Sequence, residues 1–501
     1  MTAAETDVEL QDAPAQDAEP QQPAEPPPPA SPPAPAPDAD ATEADVSEAD
    51  LDQEEQEKLP MTGGAERAAE APSAAGDEGE KNGSVKLKIP DEEPEEVKFT
   101  GLNKEELLRV AGTPGLSNAL SGLEQKVAAL SQLKVRGLVV GPIHVAPPDD
   151  AMGLRFEEIS ADAGNLEQFK SFIRAAHKKG ISVVLDLTPN YQGTSGPWFA
   201  SVSVTNVAER LKSALVFWLN EGIDGVQLSG VERVAAVVPS LWTDIRAIVQ
   251  NGTEEHPENR LLVGVTDVSS ADDVSSLLSS TGVDLLVSRV LSSGGPDAAE
   301  RARSVERLYS DHSQLKLAWS FGGRADGHLA SLGGAALLRL HQLLLLTLPG
   351  TPVFNYGDEI GLTDEGTKFP RMLWDSDEEL NGTLQEERAE RLSCRSFFQT
   401  LSELRGKERS LLFGDFELLQ NSSSSLAYLR VWDQSERYLA AFNFAADESA
   451  ALQLRGASLP QRAAVVVSTN SSALPADRSL DLSELRLGPG QAALLKFPYK
   501  A

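Results

Sequence analysis

Leu346-Thr347-Leu348-Pro349-Gly350-Thr351-Pro352-Val353-Phe354-Asn355-Tyr356-Gly357-Asp358-Glu359-Ile360-Gly361 is the stretch on which the reading of the fold turns. An apolar run stops at Pro349-Gly350, and Thr351 to Tyr356 then reads as a short strand rich in β-branched and aromatic side chains. Toward the N-terminus similar runs recur, each after a Gly or polar turn: Val135 to Gly141, Ile181 to Leu187, Gly225 to Ser229, Leu261 to Val265, Val283 to Val287 and Leu315 to Phe321. Amphipathic segments such as Asn165 to Lys179 and Val207 to Leu219 separate them. Strands alternating with helices form a parallel sheet covered by helices, and seven repeats over about 270 residues predict a TIM-type β/α barrel rather than a doubly wound sheet. The strand count is seven and not eight.

On the C-terminal side, from about Leu411, the rhythm changes to shorter alternating pieces: Ala427 to Trp432, Tyr438 to Phe444, Ala463 to Ser468 and Ala492 to Phe497. They predict a small antiparallel β domain over 411–501, leaving 116–410 for the barrel. Upstream, 97–115 holds a short helix with Asn103 as its N-cap, Glu106 three residues on, and a stop at Gly112-Thr113-Pro114-Gly115.

The chain has 501 residues and a formal net charge of -32, which argues against nucleic-acid binding, since phosphate recognition needs clustered Lys and Arg. Most of that charge is a tail. Residues 1–100 hold 27 Asp and Glu against 6 Lys and Arg, and no aromatic residue precedes Phe99. Residues 1–96, acidic and Pro-rich, therefore read as disordered, because they cannot bury enough apolar surface to offset chain entropy.

One cysteine, Cys394, excludes an internal disulfide framework and reads as a buried, inert thiol. The six histidines show no metal-ligand spacing, and neither a metal nor another cofactor is expected. The longest apolar candidate for a membrane span, Leu337 to Phe354, is interrupted by Arg339, His341, Pro349 and Pro352. With no signal peptide visible, the chain taken literally reads as cytosolic. Trp198, Trp218, Trp319 and Trp374 are expected to pack the barrel and its rim.

Several of these stretches resemble the α-amylase family of glycoside hydrolases. Leu346 to Gly361 is similar to that family's last barrel strand and following loop, Leu185-Asp186-Leu187-Thr188-Pro189-Asn190 to the end of its third strand, and Gly222 to Ser229 to its fourth. The resemblance implies an amylase-type barrel, and a retaining glycosidase needs two carboxyl groups about 5 to 5.5 Å apart. At the place of the family's nucleophilic Asp stands Ser229, with Gln227 at that of its Arg. Val265 takes the place of the acid Glu and Tyr191 that of the strand-three His, and no His-Asp pair follows strand seven around Phe321-Gly322-Gly323. A serine supplies no carboxylate and a valine carries no proton, so the barrel is expected to be catalytically empty. Asp186, Asp224, Asp267 and Glu232 are the acids left for a relocated pair; Asp186 and Asp224 read as loop caps at the rim, and Asp358-Glu359 as a loop-forming element.

Within that superfamily, Lys98 to Gly112, Gly141-Pro142-Ile143-His144, Lys407 to Leu412 and Val431-Trp432-Asp433-Gln434 resemble the 4F2 cell-surface antigen heavy chains, the heavy subunits of heteromeric amino-acid transporters. The resemblance implies a non-catalytic type II membrane glycoprotein with an extracellular C-terminal region. It would pair with a transporter light chain, bring it to the plasma membrane for exchange of large neutral amino acids, and bind integrin β subunits. Sequons at Asn251, Asn381, Asn421 and Asn470 are the glycosylation candidates.

In those heavy chains a membrane span, a cysteine bridging to the light chain and the first barrel strand lie between the Gly-rich stop and the first barrel helix. Here Thr113-Pro114-Gly115 runs directly into Leu116-Ser117-Asn118, and no light-chain cysteine is found. A missing first strand would leave an exposed sheet edge; the alternating Val85 to Ile89 is a poor filler for it. The alternatives are a soluble variant of the heavy chain without an anchor and an active α-glucosidase or amylase.

Overall fold

The computed structural model describes residues 99–102, 119–147, 150–191, 198, 201–252, 260–292, 297–323, 326–364, 366, 368–374, 382–454 and 459–499. The acidic tail, the Val85 to Ile89 run, the Asn103-capped helix and Asn381 lie outside these residues.

The strands of the first part are β1 (Phe99–Leu102), β2 (Gly137–Val140), β3 (His144–Val145), β4 (Arg155–Ile159), β5 (Ser182–Asp186), β6 (Gly225–Ser229), β7 (Leu261–Val265), β8 (Leu285–Ser288), β9 (Leu317–Trp319) and β10 (Thr351–Asn355). Eight of them close a parallel barrel in the order β1-β10-β9-β8-β7-β6-β5-β2, while β3 and β4 form a separate antiparallel pair. The count of seven and the exposed edge are thus corrected. Phe99–Leu102, placed in the sequence reading within a helical segment 97–115, is a strand. It pairs with β10 (Phe99 beside Val353) and with β2 (Gly101 beside Val139). The physical reason is that β2 and β10 each present a row of unpaired amides and carbonyls, and a β-prone Phe-Thr pair satisfies both at once.

Side chains alternate across each strand. Val139, Val184, Val263, Leu285 and Ala318 meet in one apolar cluster inside the barrel, with Leu261, Val287 and Val353 against it. The intervening Leu138, Val183, Leu185, Val226, Leu228, Leu262 and Leu286 belong to the larger core beneath the helices. By the same period of two, Asp186, Gln227, Ser229 and Val265 face the interior at the C-terminal ends of β5, β6 and β7. The helix Leu166–His177 starts as its sequence dictates. Asn165 accepts from the Gln168 amide and the Gln168 side chain accepts from Asn165 N, at 3.0 and 2.9 Å.

The C-terminal part adds β11 (Asp415–Asn421), β12 (Ser425–Val431), β13 (Arg437–Asn443), β14 (Ala450–Leu452), β15 (Arg462–Ser468), β16 (Ser479–Asp481), β17 (Leu485–Leu487) and β18 (Ala492–Phe497). Six of these form an antiparallel sheet in the order β11-β12-β13-β18-β15-β16. Two buried guanidiniums meet at the end of one barrel helix, Arg405 from the helix Gly382–Lys407 and Arg430 from this sheet. The helix Leu338–Thr347 leaves its last carbonyls without helical partners. Arg405 donates to the carbonyls of Leu346 and Leu348 at 2.9 and 3.0 Å, and also to that of Gly350. Arg430 of β12 donates to Thr347 O at 2.7 Å and to Gly414 O at 2.9 Å. Gly350, at φ +103°, has no room for a side chain, since a Cβ there would lie 2.7 Å from Leu317 O.

Among the described residues no helix is long and apolar enough to cross a membrane.

Candidate functional site

Barrel enzymes of this architecture work at the C-terminal ends of the strands, and there the structure gathers a compact polar network. Asp186, at the end of β5 and 3% exposed, turns both carboxylate oxygens to neighbours. Its Oδ1 accepts from Thr188 N at 2.9 Å, and its Oδ2 accepts from the Tyr191 hydroxyl at 2.5 Å and from Gln227 Nε2 at 3.1 Å. The Thr188 hydroxyl sits 3.1 Å from Tyr191 Oη and accepts from Ser229 N at 2.9 Å. Trp198 seals the edge, its indole donating to Ser229 O at 2.9 Å while its own amide donates to Asn190 Oδ1 at 2.8 Å.

Three of the four positions flagged from the resemblance, Gln227, Ser229 and Tyr191, are therefore drawn into one network around Asp186. The fourth, Val265, pairs directly beside Ser229 in the β6–β7 register. Adjacent strands are about 4.8 Å apart, so a hydroxyl and an isopropyl group stand side by side at the mouth.

The remaining acids do not assemble into one pair. Asp224 is at the opposite end of the barrel, because it precedes β6 rather than following it. It accepts from Val183 N at 2.6 Å and pairs with His177 at 2.7 Å. Asp284, before β8, does the same for Leu262 N at 2.8 Å, so Gly222-Ile223-Asp224 and Gly282-Val283-Asp284 are one capping device used twice. Of the two rim readings, Asp186 thus belongs to the C-terminal mouth and Asp224 to the N-terminal face. Asp267 extends from the mouth, 86% exposed at its side chain, and pairs with Arg289 at 3.1 Å; Arg289 also pairs with Asp326 at 2.5 Å. Glu232 lies in the first turn of the helix Val231–Val237 that follows β6, its carboxyl raised above the usual range chiefly by burial and further by Asp267. One of its oxygens has no hydrogen-bond partner.

Asp358 carries structure in the loop after β10. Its oxygens accept from Leu329 N and Asn355 N, both at 2.8 Å, and Gln342 donates to its carbonyl at 2.8 Å. Sequence reasoning found no His-Asp pair near Phe321-Gly322-Gly323, yet one exists further along. His328, fully buried, meets Asp364 Oδ1 through Nδ1 at 2.6 Å and packs edge-on to Tyr356. Thirty-six positions separate the two residues, so no local sequence signal announces them. All four tryptophans named above are buried, and burial pushes the Cys394 thiol up to about 11. Asn251, Asn421 and Asn470 are exposed. Among the described residues no group of His, Cys, Asp and Glu is arranged to hold a metal ion.

The comparisons with known proteins agree with this architecture. A family model described as "Alpha amylase, catalytic domain" matches residues 103–205. Among solved structures, the trehalulose synthase MutB from Pseudomonas mesoacidophila superposes with a TM-score of 0.62 at 16% identity, over 80% of this chain and 98% of that one. The trehalose-6-phosphate hydrolase TreA of Bacillus licheniformis gives 0.63 at 15% identity, covering 81% and 99%. At such identities the likeness speaks for the fold. Sequence relatives speak for more. The amino acid transporter heavy chain SLC3A2 of Oryctolagus cuniculus is 38% identical over 89% of this chain and 97% of its own, and that of Rattus norvegicus 36% over the same shares. SLC3A1 of Mus musculus is 21% identical over 76% and 75%. The alignment to the Oryctolagus protein spans 526 positions, whereas 89% of 501 residues is about 446, so about 80 positions are occupied only in the relative. With more than a third of its residues shared along nearly its whole length, and with the amylase-like barrel that the resemblance implied, the chain belongs to the family of the amino acid transporter heavy chain SLC3A2.

Proposed function

We propose that this chain is a non-catalytic heavy subunit that pairs with an amino-acid transporter light chain and carries it to the plasma membrane, where the pair exchanges large neutral amino acids. An integrin β subunit is the second partner in this reading. The observation that supports it most is the similarity to the SLC3A2 heavy chains along 89% of the chain; in this reading Ser229 and Val265 take the places of the catalytic carboxylates. Asn251, Asn421 and Asn470, exposed on the surface, are available for the glycans of an extracellular domain. The test is co-expression with a light chain in cells lacking their own heavy chain, reading surface-labelled light chain and leucine uptake. Both rise if the proposal holds; a light chain that stays intracellular and idle refutes it.

The roughly 80 positions filled only in the Oryctolagus relative bear on anchoring. They support the reading that a segment with an apolar run and a cysteine is missing at the Gly115–Leu116 junction. Sequencing the native transcript across that junction decides between a membrane heavy chain and a soluble variant. As for hydrolysis, purified chain on maltose or a nitrophenyl glucoside is expected to give no turnover. Turnover abolished by Asp186→Asn or Asp267→Asn would establish the glycosidase instead.

A further inference from the structure

Among the described residues, Asn251-Gly252 is the only asparagine followed by glycine. The pair closes the helix Pro239–Asn251, where Asn251 is exposed and Gly252 leaves the helix at φ +75°. Other helices end on a bond from the cap amide to the carbonyl four residues back: Lys178 to Arg174 at 3.1 Å, His312 to Leu308 at 3.0 Å and Leu348 to Leu344 at 3.0 Å. The Gly252 amide makes no such bond, and the Asn251 side chain has no hydrogen bond among the described residues.

Two other exposed asparagines stand before a serine and are held differently. The Ser422 amide, next after Asn421, donates to Ser425 O at 2.8 Å, and Asn470 Oδ1 accepts from Ala473 N at 3.1 Å. In each, one of the two groups needed for ring closure is already tied. The backbone nitrogen that follows an asparagine attacks the side-chain carbon most readily when both groups are untied and no Cβ crowds the approach, as at glycine.

We propose that Asn251-Gly252 is a self-modification site at which the chain deamidates without an enzyme. Gly252 N bonds to Asn251 Cγ, the Cγ–Nδ2 bond breaks, and the proton of the Gly252 amide passes through water to the departing nitrogen, which leaves as ammonia. The succinimide then takes up one water and opens at either carbonyl, giving an aspartyl or an isoaspartyl residue. Either product places a carboxylate at the carbonyl end of the helix, where the helix dipole disfavours it. The isoaspartyl form also lengthens the main chain in the connection to β7, which the bond from Arg260 N to Val249 O spans at 3.1 Å. Neither product keeps Nδ2, so neither accepts a glycan.

The full chain, produced without glycans so that the outcome is independent of the glycoprotein reading, is aged at pH 8 and digested, and fragment sequencing places the aspartyl and isoaspartyl products. Conversion at position 251 is expected to outrun that at Asn421 and Asn470 by at least about tenfold, since there the strand ladder or the turn must open first. In guanidinium those two should accelerate, while position 251 changes by less than about threefold. Gly252→Ala, whose methyl crowds the attack, should slow conversion by about tenfold. Asn251→Gln keeps the amide but lengthens the side chain past ready ring closure, and should give no product at this position. Conversion at 251 that is no faster than at Asn421, that appears only in guanidinium, or that is undiminished in Gly252→Ala overturns the proposal.

Discussion

Asp358→Asn offers the sharpest test of how the loop after β10 is held. In the fold Asp358 is 3% exposed, and its two oxygens accept from the amides of Leu329 and Asn355 at 2.8 Å each. Burial pushes this carboxyl from 3.8 up to about 8; the two amide bonds pull against that rise, and the charges of Glu359 and Asp364 add to it. Between these values the folded chain keeps a proton that the unfolded chain releases. Stability contributed by the group is therefore complete below about pH 4 and is lost as pH rises toward 8, by about 1.4 kcal/mol per unit. From pH 5 to pH 8 that amounts to about 4 kcal/mol. The variant cannot ionise and lacks this loss, but its amide offers one oxygen to two donors, which costs about 2 kcal/mol at any pH. Urea unfolding, followed by the fluorescence of the buried tryptophans, should find the variant about 2 kcal/mol less stable at pH 5. At pH 8 it should be the more stable of the two by a similar amount. A gap that stays constant, or widens as pH rises, would mean that the buried carboxyl is ionised in the fold, and the reasoning fails.

Arg405→Met and Arg430→Met each orphan buried carbonyls at the end of helix Leu338–Thr347 and should cost about 3 kcal/mol. Because both serve that one helix end, a double-mutant cycle in urea should show a coupling of at least about 0.5 kcal/mol. Gly350→Ala forces a Cβ onto Leu317 O at φ +103°, whereas at Gly222, φ +95°, nothing lies within 4 Å of a Cβ. Calorimetry should therefore find Gly350→Ala costing more than about 3 kcal/mol and Gly222→Ala about 1 kcal/mol. Cys394, buried and with its thiol pushed up to about 11, should react with a thiol reagent at pH 8 about 100-fold more slowly than in the urea-unfolded chain.

Barrel strands were legible where tertiary and local signals coincide. Gly225–Ser229 and Leu261–Val265 are short apolar runs entered from a polar or Gly-containing turn, and the structure begins and ends them where the sequence does. Phe99–Leu102 was not legible as a strand. Four residues carry little periodicity, and the capping pattern of Asn103 and Glu106 beside them is the stronger local signal, so the open sheet edges decide. His144–Val145, two residues, is too short a run to register, and Arg155–Ile159, with Arg155, Glu157 and Glu158 exposed, lacks the apolar run that marks the barrel strands. At the mouth, the residue identities were readable but not their partnerships. That Tyr191 and Gln227 converge on Asp186 depends on β5 and β6 being neighbours, which is a property of the closed barrel. The sequence did hold a signal for Asp224. In a parallel barrel an acid preceding its strand lies at the opposite face from one that follows it, and this separates Asp224 from Asp186.

The chemistry of the mouth follows from how its polar groups are satisfied. A retaining glycosidase keeps two carboxyl groups about 5 to 5.5 Å apart and turned to the same sugar, one to attack and one to protonate. Here the carboxylate at the mouth interior, Asp186, accepts three hydrogen bonds from Thr188, Tyr191 and Gln227. Each of these bonds occupies a lone pair of the carboxylate and limits its freedom to meet a substrate. Glu232, raised by burial, has the character of an acid, but its acidic neighbour Asp267 is at the exposed rim in an ion pair with Arg289. The same bonds that idle Asp186 tie the ends of β5 and β6 together through Gln227 and through Thr188 to Ser229. In the proposed heavy subunit these bonds would brace the rim of a domain whose role is to be recognised.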